Sequence, residues 1–130
     1  MKKIALLILF LTTGFADEII LDNQSGYPRA QEKSKIAIQW ASSAKEVQEH
    51  NQSSIHGFKL NSRTIKSLNQ TGKLKIFVPK NAEYFRILVW PNGKEHPEFL
   101  TNWVEVLPNK SYLLKSDHLI PSVLMIGMGC

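Results

Sequence analysis

Cysteine is the scarcest residue of this 130-residue chain, which has one, Cys130, at the final position. One cysteine cannot form a disulfide within the chain, so burial of an apolar core must stabilise the fold. We expect Cys130 to be a free thiol at the end of the chain; the alternative is a tether to a partner or a second copy. The scarcity excludes the class of small exported domains that depend on internal disulfides.

Sequence patterns that carry catalysis or hold cofactors are also missing. The chain has no cysteine pair, no Gly-x-Ser-x-Gly and no glycine-rich phosphate loop. His50 and His56 stand six residues apart, which matches no common metal-ligand spacing. We therefore predict no catalytic residue, no metal and no cofactor. A small secreted hydrolase is the enzymatic alternative, and it requires His96 and His118 to meet an acidic residue in one cleft.

The first sixteen residues have the pattern of an export signal. A positive start precedes the apolar residues 4–11, and the small residues Gly14 and Ala16 occupy the −3 and −1 positions of a cleavage site. This apolar run is too short to span a bilayer, which takes about 20 residues. The alternative is an N-terminal core strand. We predict a signal peptide over residues 1–16, cleaved after Ala16, and no membrane span.

Cleavage would leave one domain over residues 17–130, periplasmic or secreted and soluble. Removing Lys2 and Lys3 leaves 14 basic and 11 acidic residues, so the net charge falls from +5 to +3. A mildly basic domain of this kind gives no argument for nucleic-acid binding. The partner is therefore expected to be something other than nucleic acid.

Alternation of apolar and polar residues with a period of two dominates the remaining chain, interrupted by turn residues. Ile36, Ile38 and Trp40, for example, share one face of a strand. The alternation predicts strands near residues 19–21, 36–40, 74–78, 84–90, 104–106, 112–114 and 123–126. We predict an all-β fold, an antiparallel β-sandwich of about 7–8 strands, immunoglobulin-like or transthyretin-like, with one short helix. A small barrel is the alternative.

The helix is predicted to begin at a capping box formed by Ser43 and Glu46 and to end near residues 50–51. Residues 62–69 fit a helix or a strand equally well. Asn92–Gly93 predicts a turn, followed by a long exposed connection to residue 102. Asn-x-Ser/Thr triplets are typical of surface loops. They begin at Asn23, Asn51, Asn69 and Asn109.

A cationic and aromatic surface is the main functional signal. In the strand near residues 74–78, an inward-facing apolar set puts the intervening lysines and phenylalanine on the opposite face. If this strand and the next one pair as a hairpin across residues 79–83, their outward side chains form one surface. The predicted ligand-binding residues are Lys73, Lys75, Phe77, Tyr84, Arg86 and Trp90. Such a surface suits a glycan or a protein. The alternative is that the second strand's face, which Leu88 shares, packs against a second sheet.

The apolar C-terminal segment, residues 119–130, is too short for a membrane span. We expect it to be an ordinary core strand, the alternative being a strand donated to a neighbouring copy or partner. Together these features predict an exported, soluble β-sandwich that recognises a glycan or protein surface without catalysis. The alternative function is a structural or assembly subunit of a secreted or cell-surface complex that uses this strand. A homo-oligomer formed through the strand or through Cys130 is a further alternative.

Overall fold

A computed structural model of the chain describes residues 17–30, 33–55 and 59–122. The predicted signal peptide, the strand predicted near 123–126 and Cys130 lie outside the described residues. Where the chain is described, nine strands and one α-helix form. They are β1 (Glu18–Gln24), β2 (Lys35–Ala41), α1 (Ala44–Ile55), β3 (Ile65–Leu68), β4 (Gly72–Phe77), β5 (Tyr84–Trp90), β6 (Phe99–Leu100), β7 (Val104–Glu105), β8 (Ser111–Lys115) and β9 (Ile120–Pro121).

The strands form two sheets, which confirms the predicted all-β sandwich with one short helix. The smaller sheet has the order β4–β1–β8, and the larger has the order β3–β2–β5–β6–β9 with β7 also beside β5. β8 runs parallel to β1, and the other pairs are antiparallel. In the part of the chain that is described, the sheets do not close into a barrel.

The core lies between the two sheets and follows the predicted alternation. Every second residue of β1, β2, β4 and β5 points into it, because successive side chains of a strand point to opposite faces. Its buried apolar members are Ile19, Leu21, Ile36, Ile38, Trp40, Leu68, Ile76, Val78, Phe85, Ile87, Val89 and Leu114. Burial of this set supplies the stabilisation that a chain without internal disulfides needs.

The helix begins as predicted but is longer. The N–H of Glu46 donates to Ser43 Oγ at 3.1 Å, which is one half of the predicted capping box. The carboxylate of Glu46 accepts from the backbone N–H and the hydroxyl of Ser42, one residue earlier than expected. The helix continues to Ile55 because His50 and Ser54 are buried against the larger sheet, and such packing extends a helix beyond its local signals.

The predicted hairpin between β4 and β5 is wrong, because these strands belong to different sheets. β4 pairs with β1, and β5 pairs with β2. The backbone N–H of Val78 still donates to Asp17 O at 2.7 Å beside β1, whereas the N–H of Glu83 donates to Ala41 O at 2.8 Å beside β2. The chain therefore crosses from one sheet to the other between these two residues.

Several local predictions are corrected by burial. β1 extends to Gln24 since Asn23 is buried and its amide donates to the backbone oxygens of Tyr27 and Gln70. Two of the Asn-x-Ser/Thr triplets therefore do not begin in loops, as Asn23 lies in β1 and Asn51 in α1. The connection expected to be exposed before residue 102 contains β6, where Leu100 is fully buried.

Residues 62–69, which fitted a helix or a strand, contain both in sequence. A single 3₁₀ turn covers Ser62–Thr64, and β3 follows directly. Asn61 caps the turn, since its Oδ1 accepts the N–H of Arg63 at 3.0 Å. The turn at Asn92–Gly93 forms with a positive φ at Gly93 only.

Candidate functional site

Half of the predicted ligand-binding residues lie on the outer face of the smaller sheet. Lys73, Lys75 and Phe77 point away from the core, and 57% of Phe77 is exposed. Ile20 of β1 and Leu113 of β8 lie on the same face, 38% and 47% exposed. We call these five residues the outer face.

Cross-strand register places the apolar members of the outer face along one diagonal. Ile20 lies opposite Lys75 on β4 and opposite Ser111 on β8. Phe77 and Leu113 are each two residues further along their strands, and diagonal neighbours of this kind have Cα atoms roughly 7–8 Å apart. The outer face is thus an exposed apolar diagonal with lysines beside it, and two acidic residues of β1, Glu18 and Asp22, lie on the same side of the sheet.

The other three predicted residues do not join this surface. Tyr84, Arg86 and Trp90 share one face of β5, as the alternation predicted, but that face is the covered side of the larger sheet. Tyr84 is half-buried, and Arg86 and Trp90 are buried. The expectation of one continuous surface is therefore wrong, since β4 and β5 lie in different sheets and α1 and the segment before β3 pack over β5's face.

Arg86 is the most unusual of these side chains, because its guanidinium is 1% exposed and its hydrogen-bond partners among the described residues include no carboxylate. Its Nε donates to Gln39 Oε1 at 2.7 Å across the β2–β5 pair. Nη2 donates to Ser54 Oγ at 3.2 Å, and Nη1 to Asn51 Oδ1 at 3.5 Å, both on α1. Arg86 therefore links the helix to the sheet.

Burial lowers the pKa of Arg86 to about 10, so the side chain still carries its charge at neutral pH. The ring of Trp103 lies against that charge, with Arg86 Cζ 4.6 Å from the ring centroid. Asn51 Oδ1 accepts the indole N–H of Trp103 at 3.0 Å. An aromatic face and neutral oxygens thus replace the carboxylate that a buried cation commonly has.

His50 completes the network on α1. Its ring stacks on Trp103 at 5.5 Å between centroids, and its Nδ1 lies 3.4 Å from Gln39 Nε2. Its Nε2 is buried without a hydrogen-bond partner among the described residues and lies 3.7 Å from Glu46 Oε1. Burial, and next the charge of Arg86, lower the pKa of His50, while Glu46 raises it.

Trp90 is held in a separate apolar cluster at the other end of β5, with Ala37, Leu88 and Leu100. The ammonium of Lys35 lies 4.8 Å from its ring centroid. Trp90 therefore packs as part of the fold, but the described side chains that pack against this cluster are Leu60 and Ile65, not those of a second sheet, which the alternative expected.

A cleft of about 380 Å³ lies between β3 and the C-terminal end of β4, at the side of the sandwich where each sheet ends. Its lining combines an apolar floor with basic side chains and contains no described acidic residue. The lining residues are Trp40, Arg63, Thr64, Ile65, Lys66, Phe77, Val78, Pro79 and Lys80. Sequence alternation could not find this cleft, because its residues come from strands of different sheets.

A second cavity, of about 440 Å³, opens between the sheets beside β8. Asp117 and His118 lie in its lining, but His96 does not. His118 Nδ1 accepts the backbone N–H of Lys115 at 3.0 Å. The three groups that the hydrolase alternative requires are therefore not joined in this cavity, and the absence of catalytic residues stays a prediction.

No group of three or more metal-binding side chains is found among residues 17–30, 33–55 and 59–122. Over the same residues, no helix is both long enough and apolar enough to cross a membrane. β9 pairs with β6, and the apolar segment beyond residue 122 lies outside the described chain. Strand donation by that segment, and a role for Cys130, stay predictions.

Comparison with known proteins assigns no family to the chain. No protein-family model matches it, and no curated protein does. Among solved structures, it is similar to one described as "The Structure of Serratia marcescens Lip, a membrane bound component of the Type VI Secretion System". The sequences are 16% identical, the match covers 80% of this chain and 94% of that chain, and the TM-score is 0.39. A likeness of this degree attaches no function to the chain.

Proposed function

We propose that the protein is a non-enzymatic interaction module that binds a partner protein through the outer face of its smaller sheet. The observation that carries this proposal is the exposure of Ile20, Phe77 and Leu113 along one diagonal of that face. Large apolar side chains exposed singly are common, whereas a contiguous set beside charged residues is typical of an interaction surface.

The two sheets differ in a way that favours this face. The outward side of the larger sheet is occupied, because α1 binds Arg86 there and a second apolar cluster surrounds Trp90. The outward side of the smaller sheet keeps its apolar side chains exposed. Fully burying an exposed side chain of this size contributes roughly 1.5–3 kcal/mol. Because Ile20, Leu113 and Phe77 are 38–57% exposed, covering each of them contributes about half of that.

The lysines beside the diagonal orient the partner and raise the association rate more than they raise the affinity. Lys75 lies opposite Ile20 and therefore has no acidic residue facing it on β1, while Lys73 faces Asp22. A protein surface is favoured over a glycan, since two of the three apolar anchors are aliphatic and only Phe77 offers a flat ring for stacking on a sugar.

Site-specific photo-crosslinking tests the proposal in the full chain, expressed in its source cells. A photoreactive amino acid replaces Phe77 or Leu113, and the matched control carries it at Leu107, an exposed apolar residue outside this face. We expect a partner adduct from positions 77 and 113 and none from 107. Binding of the purified partner should weaken at least tenfold on Ile20→Ser.

Adducts that form equally from all three positions, or from none, would refute the proposal. If adducts are absent but Lys73→Glu with Lys75→Glu abolishes retention on an immobilised anionic polysaccharide, the glycan alternative replaces the protein partner.

A further inference from the structure

We infer that the partner contributes an extended, acidic segment that adds as a strand to the free edge of β4 and places alternate side chains in the cleft between β3 and β4. This inference rests on the proposed function and specifies both the class of partner and how it is recognised. It is a case of strand addition, in which the main chain gives affinity and side-chain pockets give specificity.

The edge of β4 has the geometry that strand addition requires. In the described chain, β4 is the outermost strand of the smaller sheet and pairs with β1 alone. The N–H of Val78 donates to Asp17 O, the residue opposite it. Backbone groups of antiparallel strands alternate in direction, so those of Lys73, Lys75 and Phe77 point away from β1. An incoming strand would meet these donors and acceptors.

The cleft meets this edge at Phe77 and selects the charge of the part of the segment that lies there. Arg63, Lys66 and Lys80 line it, and no described acidic residue does. Trp40 and Val78, both buried at the floor, offer apolar contact. Carboxylates of a partner would therefore contact these cations, and no acidic side chain among those described in the lining would have to be displaced.

An added strand has two faces, and each meets different residues. Side chains on one face enter the cleft, and those on the other lie beside Lys73, Lys75 and Phe77 on the outer face. Opposite charges directly across a strand pair are stabilising. The recognised segment should therefore carry Asp or Glu at alternate positions, opposite the lysines, with apolar or acidic residues between them.

A second copy of this chain is a poor occupant of the same edge. Antiparallel pairing of β4 with its own copy, centred on Leu74 or Lys75, brings lysines of the two copies opposite each other, and like charges opposite each other are destabilising. Lysines on an edge strand commonly prevent self-association. Here the residues that disfavour a second copy are the ones that favour an acidic partner.

Selection from a phage-displayed library of random dodecapeptides against the full chain tests this inference. We expect enriched peptides with acidic residues at alternate positions. Their affinity should fall at least tenfold for Lys73→Glu with Lys75→Glu, two exposed positions, and stay unchanged for the matched control Lys45→Glu with Lys110→Glu. Hydrogen exchange at the amides of residues 73, 75 and 77 should slow when peptide binds.

Backbone methylation separates strand addition from side-chain recognition. N-methylating alternate residues of an enriched peptide removes its main-chain donors and should abolish binding if the peptide pairs with β4. The inference would be overturned if the methylated peptide bound as tightly as the unmethylated one, if no peptide were enriched, or if the enriched peptides lacked acidic residues. A concentration-dependent dimer of the free protein with slowed exchange in β4 would also overturn it, because this would identify a second copy as the occupant. Crosslinks from residues 77 and 113 that persist in any of these cases leave the proposed function standing.

Discussion

Replacing Gln39 with leucine should destabilise the protein far more than the loss of an ordinary polar side chain. Gln39 Oε1 accepts the 2.7 Å hydrogen bond from Arg86 Nε, and both side chains are buried. Gln39→Leu leaves a buried charge without its closest acceptor. The matched control is Gln52→Leu, since Gln52 is exposed on α1.

The size of the effect follows from what each substitution leaves behind. A hydrogen bond to a charged group contributes about 1.5–3 kcal/mol, so we expect Gln39→Leu to lower the free energy of unfolding by about 3 kcal/mol. Arg86→Met instead removes the charge and leaves only neutral groups unpaired, at about 1–3 kcal/mol. The double variant replaces the pair with apolar side chains, which buried ionic groups often tolerate. Its loss should therefore be smaller than the sum of the single losses by at least about 1 kcal/mol.

Urea unfolding followed by circular dichroism measures these differences. With a slope of about 1–3 kcal/mol per molar urea, the midpoint for Gln39→Leu should fall by about 1–3 M, while that for Gln52→Leu should hardly move. Two results would refute the view that Arg86 depends on Gln39. One is that the losses of unfolding free energy for Gln39→Leu and Arg86→Met simply add in the double variant. The other is that the midpoint of Gln39→Leu equals that of Gln52→Leu.

Two further predictions concern pH and backbone conformation. Burial and Arg86 lower the pKa of His50 below 6.5. As the pH falls, His50 therefore takes up a proton in the unfolded protein before it does so in the folded protein. The free energy of unfolding should be highest above about pH 6.5 and should decrease progressively below it. Unfolding free energies between about pH 7 and 5 should show a weaker decline for His50→Gln, and an equal decline would contradict this. Gly93 has φ +67° and a Cβ there would lie 2.6 Å from a backbone oxygen, whereas Gly72 has φ +85° and open space around it. The Gly72→Ala substitution should cost only the backbone strain, about 1–2 kcal/mol. The melting temperature of Gly93→Ala should therefore be well below that of Gly72→Ala. Equal melting temperatures would show that the protein relieves the close contact at residue 93.

The faces of the strands could be predicted from sequence, but their partners could not. Alternation places Phe77 outward and Phe85 inward correctly, because side-chain direction is a local property of an extended backbone. Which strand lies beside β4 depends on residues 18–23, far away in the chain. Nothing within residues 79–83 shows that the chain crosses between sheets there instead of turning back.

The layer that covers Arg86 could not be predicted from the local sequence pattern either. Alternation gives the correct face for Arg86, but the covering side chains come from α1 and from Trp103, which no period-two pattern relates to β5. One signal was available. Gln39 and Arg86 are both polar residues in the middle of strongly apolar strands, and two such residues facing each other across a pair indicate a buried polar contact.

The central place of β1 in the smaller sheet has a consequence for the order of folding. β1 begins at residue 18, yet its parallel partner β8 begins at residue 111. Among the nine described strands, β1 comes first and β8 last but one, so β1 is synthesised long before both of its edges can be paired. Contacts this distant along the chain make folding slow. Until β8 is present, a nascent chain exposes an unpaired strand edge, so the smaller sheet is where premature self-association would begin.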